Sequence, residues 1–216
     1  MQALNTPTYM RLREQLRSDI VDGLWPLGSH VTLAQLAAHY EVSQNPVREA
    51  LLQLQGEGVV AMRMNRGAVI PTVDAKYIDN LYKVRGAIQA MLAREAAAKA
   101  TRQQIDTLVQ LEQERLDAAS SSDVARCVAA NRAFHRFIDG IADNPMAVEM
   151  LEGRSTLVDA VRRSRGYGDG RLDLVAQQHR KMIEAVKRHD ADRAARAALD
   201  HTESSRQDLL AMLGTA

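Results

Sequence analysis

The sequence predicts a mainly α-helical chain in two parts: three short helices closed by a β-hairpin, then an all-α bundle of six helices. Three observations lead there. Apolar residues recur at helical spacing through most of the chain. β-Branched residues bounded by turn residues cluster between Val59 and Val73. Aromatic residues make up only 4% of the chain, as suits a bundle packed by Leu, Ile, Val, Met and Ala. Pro71-Thr72-Val73-Asp74 marks the seam, because proline stops a strand and Asp74 can cap the next helix. The expected domains are therefore residues 1–73 and 74–216.

In the first part, Leu12, Leu16 and Ile20 recur every four residues, predicting a helix over Thr8–Asp22 that Gly23 stops. Trp25-Pro26-Leu27-Gly28 reads as a turn. Thr32 opens a short helix over Leu33–Tyr40, with Gln35 placed for a capping box. Ser43 caps a third helix that ends near Gly56; Pro46 is tolerated in its first turn, and Val47, Leu51 and Leu54 form its buried stripe. Val59–Arg63 and Ala68–Ile70 then read as two strands around a turn at Met64–Gly67. Helices in this order followed by a hairpin are the layout of a winged helix-turn-helix.

The second part resolves into helices over about 75–99, 102–119, 123–141, 146–165, 173–188 and 191–213. Thr101 with Gln104 forms a capping box, and Asp123 and Asp190 suit helix starts. Asn144-Pro145 breaks the chain, and Gly166–Gly170 is a flexible connector. Ala96–Ala100 and Ala194–Ala198 are locally biased in composition.

Composition bounds the function. With 46% hydrophobic and 25% charged residues in a chain of 216, intrinsic disorder and fibrous repeats are excluded. Net charge is +1, so no global basic field draws the chain to nucleic acid or membrane, and any DNA-binding surface must be local. Cys127 is the single cysteine, lies in an apolar helical pattern and reads as a buried, inert thiol. The opening MQALNTPTYMRLR lacks a signal-peptide core, and no apolar stretch approaches ~18 residues, so a cytoplasmic setting without membrane contact is expected.

In a helix-turn-helix the second helix of the pair enters the major groove by its N-terminal end. Here that end is Ser43-Gln44-Asn45-Pro46-Val47-Arg48. Gln44 and Asn45 carry amides able to read adenine edges, Arg48 can reach guanine or phosphate, and Ser43 stands where free backbone N–H groups favour a phosphate. Arg66 lies at the wing tip, where a cation can follow the backbone or the minor groove. Up to Val73 the six arginines (Arg11, Arg13, Arg17, Arg48, Arg63 and Arg66) are balanced by Glu14, Asp19, Asp22, Glu41, Glu49 and Glu57. The electrostatic part of binding per subunit is therefore modest, and useful affinity calls for a homodimer on double-stranded operator DNA.

In the second part Asn131 and His135 share a helix face, while His179 and His201 lie within later helices. Three imidazoles and one amide oxygen could converge in the bundle centre and bind a divalent transition metal ion, zinc or nickel foremost. Spacing along the chain does not settle whether they converge. His189 falls near a helix end and reads as a surface or capping residue.

Two resemblances sharpen these expectations. Leu36-Ala37, Val42-Ser43, Pro46-Val47-Arg48-Glu49-Ala50-Leu51, Leu54 and Glu57-Gly58-Val59-Val60 resemble the DNA-binding domain of GntR-family transcription regulators, a match that covers about residues 8–73. Members usually carry arginine where Gln44 stands and often a basic residue where Ala34 stands, which implies a changed operator sequence. Val84–Ile88, Asn131-Arg132-Ala133-Phe134-His135, Asn144-Pro145, Gln178-His179 and Asp192…His201 look like the FCD ligand-binding domain of the FadR subfamily, over about 75–213. Six helices rather than seven point to its shorter, VanR-like branch.

In such domains an Asp and three His commonly hold a metal, and small organic acids bind beside it. Carried over, the metal ligands would be Asn131, His135, His179 and His201. Asn131 departs from the usual Asp: an amide neutralises no charge, so the site would stay about +2 and demand an anionic effector more strongly. Arg85, at a position where members point an arginine into the pocket, is the expected anchor for a carboxylate effector, with Arg162 a second candidate on helical facing. Gln89 stands where members usually carry Glu.

The resemblance implies a ligand-responsive transcription regulator, a repressor in the commonest case, and not an enzyme. Two alternatives stay open: a metal-dependent enzyme built on the histidines, and a regulator that senses the metal itself. The enzyme needs a general base near the metal-bound water. Neither a Glu-x-x-His nor a His-Glu-x-x-His motif occurs, and no serine- or cysteine-nucleophile signature is present.

Overall fold

The structure, a computed structural model, describes residues 7–63, 66–121 and 123–214. These divide into two compact units: the residues up to Val73 together with Glu152–Ser164, and Asp74–Leu151 together with the residues from Arg165 onward.

In the first unit α1 (Thr8–Val21) buries Leu12, Leu16 and Ile20, and the chain turns at Gly23 with φ +82°. β1 (His30–Val31) leads into α2 (Leu33–His39), which opens with the expected reciprocal capping box between Thr32 and Gln35. α3 (Gln44–Gly56) turns Val47, Ala50, Leu51 and Leu54 inward. Its N-cap, Ser43, makes no side-chain cap hydrogen bond; Pro46 sits within the first turn, where a missing N–H leaves no helical bond unmade.

β2 (Ala61–Arg63) and β3 (Gly67–Val69) form the wing, and β3 is the central strand of an antiparallel sheet ordered β1-β3-β2. The sequence reading did not include β1. Two residues carry no alternation, and only the pairing of His30 with Val69 and Val31 with Ala68 makes them a strand. Val59 and Val60, read as strand, instead bury their side chains in the loop after α3 while their N–H groups point to the Leu54 carbonyl. Gly67 is required where it stands: φ is +92°, and a Cβ would come within 2.1 Å of the Val31 carbonyl oxygen. Met64 and Asn65, part of the expected turn, lie outside the described residues.

The Asp19, Trp25 and Tyr40 side chains fasten the turn to the helices: Trp25 Nε1–H donates to the Tyr40 hydroxyl at 2.7 Å, and that hydroxyl donates to the Asp19 carboxylate. The 152–164 segment, which the sequence reading placed wholly with the second part, counts here with the first unit. At Gly153 a Cβ would lie 2.1 Å from the Glu57 carbonyl oxygen, and Thr156 Oγ1 accepts from Arg17 at 3.2 Å.

The second unit contains α4 (Ala75–Lys99), α5 (Arg102–Ser120), α6 (Val124–Ile141), the start of α7 (Pro145–Arg165), α8 (Arg171–Lys187) and α9 (Ala191–Gly214). Asp74, Asp123 and Asp190 accept backbone N–H groups at the starts of α4, α6 and α9, and Thr101 with Gln104 caps α5. α4 lies along α9, α5 along α6, and α8 along α9. The alanine-rich stretches have a packing reason: Ala93, Ala96, Ala97 and Ala100 join Ala194 and Ala198 in one buried cluster, so small side chains let α4 and α9 approach closely. Cys127 is buried, and burial pushes its thiol up from the ordinary cysteine range. Among the described residues no helix is long and apolar enough to cross a membrane.

Candidate functional site

The N-terminal end of α3 presents Gln44, Asn45 and Arg48 on one exposed side, because they are three and four residues apart, while Val47 and Leu51 hold the opposite side in the core. Ser43 is exposed beside them, and Arg66 is exposed at the start of β3 with its N–H bonded to the Arg63 carbonyl. This is a face of hydrogen-bonding side chains on a helix end whose first backbone N–H groups have no intrahelical acceptors.

In the second unit His135 on α6, His179 on α8 and His201 on α9 converge. Each offers a ring nitrogen, and these nitrogens lie within 4.8 Å of one another. Ring centroids are 4.9–5.0 Å apart. All are buried, His179 completely. Burial pushes the pKa of each below the ordinary histidine range; the neighbouring imidazoles and the Arg85 and Arg171 guanidinium groups lower His135 and His201 further, and Arg115 adds to this at His135. Neutral imidazole is the form that ligates metal.

Tautomers follow from the partners. Nδ1 of His179 lies 2.6 Å from Glu112 Oε2, so it donates to that carboxylate. Nδ1 of His201 lies 2.9 Å from Gln178 Oε1 and donates to that amide oxygen. Both rings therefore keep an unprotonated Nε2, and Nε2 of His179 is buried with no hydrogen-bond partner. A buried lone pair without a donor, on a ring 4.9–5.0 Å from two further imidazoles, fits a divalent metal. The three histidines can hold such an ion.

Glu112 and Arg115 form a buried pair on α5, with Arg115 Nε and Nη2 donating to the two carboxylate oxygens at 2.9 and 2.7 Å. Burial alone would raise the Glu112 carboxyl; the hydrogen bond from His179 and the Arg115 guanidinium outweigh it and hold the group below its ordinary range.

Asn131 is half-buried on α6, one turn before His135. Arg85 is half-buried on α4, packs over the Tyr82 ring at 5.6 Å and donates to Gln89 Oε1 at 3.2 Å. Gln89 also accepts from the Thr202 hydroxyl at 3.2 Å, and its amide nitrogen lies 3.5 Å from the buried Asp139 carboxylate. The amide at this position thus donates toward one carboxylate while accepting from a guanidinium and a hydroxyl, which a Glu could not do in ionised form. Arg171, buried at the start of α8, donates to the Ser204 and Ser205 hydroxyls of α9. Arg162 is buried in the α7 segment that belongs to the first unit, whereas Arg85 and the histidines belong to the second. His189, at the end of α8, adopts φ +52° and bonds the Ala97 carbonyl of α4 through Nδ1 at 2.8 Å.

Sequence reasoning missed Glu112, Arg115 and Arg171. A signal for the first two exists: Ile105, Leu108, Glu112, Arg115 and Ala118 continue one inward stripe of α5, so two charges stand at core positions. Arg171 follows a glycine-rich connector and carries no such periodic mark.

Comparison with known proteins identifies the family of both parts of the chain. Residues 8–70 match "Bacterial regulatory proteins, gntR family", and residues 80–204 match the FCD domain. The HTH-type transcriptional repressor RspR of Escherichia coli K12 is 29% identical over 206 residues, spanning 93% of this chain and 90% of RspR. The HTH-type transcriptional regulator YdhC of Bacillus subtilis 168 is 26% identical over 197 residues, 91% of this chain and 88% of YdhC. The solved structure of E. coli McbR/YncC superposes with a TM-score of 0.82 at 18% identity, covering 97% and 99% of the two chains, which establishes likeness of fold. The chain belongs to the gntR family of bacterial regulatory proteins, with an FCD domain following its DNA-binding domain, and it is a transcription regulator rather than an enzyme.

Proposed function

We propose that the protein is a homodimeric repressor whose grip on operator DNA is controlled by a small organic acid bound beside a metal in the helical domain. The observation that carries this is the convergence of His135, His179 and His201 with a buried, unpartnered Nε2 on His179. The domains divide the work at 73/74, and Ser43, Gln44, Asn45, Arg48 and Arg66 contact the duplex. The similarity to RspR, a named repressor, supports the negative sign of control.

His135, His179 and His201 hold the metal, zinc or nickel by donor type, and Asn131 completes the protein's share through its amide oxygen. When bound, the metal supplies a positive centre that a carboxylate can ligate. None of these four residues brings a negative charge, so an anionic effector offsets the dication. Arg85 pairs with the effector's carboxylate, and the hydrogen bonds it and Thr202 make to Gln89 keep it aimed from α4. Arg162 is the second candidate arginine for the effector. Effector binding can shift the operator equilibrium only by its difference in affinity for the DNA-competent and DNA-free arrangements. Such a regulator works in the cytoplasm, where its operator lies.

The experiment is a mobility-shift titration of the full chain on DNA from its own promoter region, with Zn2+ present and a panel of small carboxylic acids. A shifted complex that one acid dissolves supports the reading; a shift indifferent to every acid, with and without metal, overturns the effector part. A complex that metal addition alone dissolves would instead favour metal sensing.

A further inference from the structure

We infer that Glu112 is the positioning residue of the metal site: held by Arg115, it turns His179 so that Nε2, and no other atom of that ring, faces the metal. The inference rests on the metal-binding reading above. Three contacts lock the imidazole. Phe134 stacks on its face with centroids 4.0 Å apart and planes 8° from parallel, which fixes the ring plane. Glu112 Oε2 receives Nδ1–H at 2.6 Å, which fixes rotation within that plane. Burial of the whole residue removes water as an alternative acceptor.

The hydrogen-bond count around Glu112 explains why this residue is a carboxylate. Arg115 Nε and His179 Nδ1 both donate to Oε2, and Arg115 Nη2 donates to Oε1. Three N–H donors aim at two oxygens. An amide would accept at one atom and set its own NH2 against a donor at the other. The guanidinium offsets the carboxylate charge at longer range, while the oxygen beside His179 keeps its anionic character at hydrogen-bond range. A metal ligand whose far nitrogen donates to a carboxylate is oriented and made a stronger donor. That matters more here than in a site with its own Asp ligand, because Asn131 contributes no charge.

The test uses the full chain with Zn2+ as probe, in competition with a chromophoric chelator. Glu112→Gln is expected to weaken Zn2+ binding by about 10- to 100-fold, the range found for carboxylates behind ligating histidines. Because Glu112→Gln leaves Arg115 facing an amide, the paired Glu112→Leu/Arg115→Met variant, which removes both the acceptor and the charge that would be orphaned, is measured alongside and is expected to show at least the same loss. A second readout separates positioning from packing. In Co2+-loaded protein, the exchange-protected Nδ1–H proton of His179 should give a paramagnetically shifted NMR signal that the paired variant loses, while the signals of His201 persist. Zn2+ affinity within twofold of the parent in both variants would overturn the inference and leave the metal-binding reading standing. A parent protein that takes up no Zn2+ would overturn both.

Discussion

Phe134 and His179 lie face to face, 4.0 Å between ring centroids and 8° from parallel, both buried in the second unit. Phe134 therefore serves core and site together: it belongs to the buried cluster with Ile138, Ile183 and Val186, and it sets the plane of an imidazole. Phe134→Ala should cost about 3–5 kcal/mol of stability, as large aromatic truncations in cores do. It should also loosen His179, so the urea midpoint and Zn2+ retention are expected to fall together; a destabilised variant with unchanged metal affinity would leave Phe134 a core role only.

Arg48→Ala should lower operator affinity by about 1–3 kcal/mol, the range for one arginine reading a base edge. Arg48 is exposed and lies on the side of α3 away from Val47 and Leu51, so the thermal transition of the protein should not move. Mobility-shift titration with a parallel melting curve checks both.

Removing two of the three converging imidazoles leaves too few donors to hold an ion in a buried site. His135→Ala combined with His179→Ala should return metal-free protein from Zn2+ loading and desalting, read by elemental analysis. Metal content equal to the parent would place the ligands elsewhere.

In metal-free protein the three buried histidines make stability depend on pH. Burial lowers their folded-state pKa below the unfolded value of about 6.5. Below pH ~6.5 the unfolded chain takes up protons that the folded state refuses, so stability is full above that pH and falls as pH drops through the window beneath it. Chelator-treated protein should melt progressively lower between pH 7 and pH 5, and the His135→Ala/His179→Ala variant should show a shallower slope.

Arg85→Ala should abolish the response to the effector and leave operator binding intact, because Arg85 packs on Tyr82, bonds Gln89 and exerts its charge on His135, all within the second unit. A dose–response titration on the operator reads this directly. An unchanged curve would move the carboxylate anchor to another group.

What was legible beforehand follows the range of the interactions involved. The Thr32–Gln35 and Thr101–Gln104 capping boxes and the Asp74 and Asp123 caps join residues three apart, so their geometry is set wherever the sequence occurs. Helix bounds followed within a residue or two. β1 was invisible because two residues have no periodicity and only their partner strand defines them. Val59 and Val60 satisfied the compositional signature of a strand, yet their backbone closes onto Leu54 instead of a neighbouring strand.

By itself the sequence determined a chain of capped helices with a hairpin near residue 67, a run of polar side chains at the start of the third helix, and three histidines within separate helices. Only tertiary structure decided that those histidines meet, that Glu112 and Arg115 stand behind one of them, and that Arg162 counts with the first unit. The reason is that helix faces are fixed by a local periodicity, whereas which faces meet depends on side-chain packing among elements far apart in the chain, such as the alanines that let α4 and α9 close together.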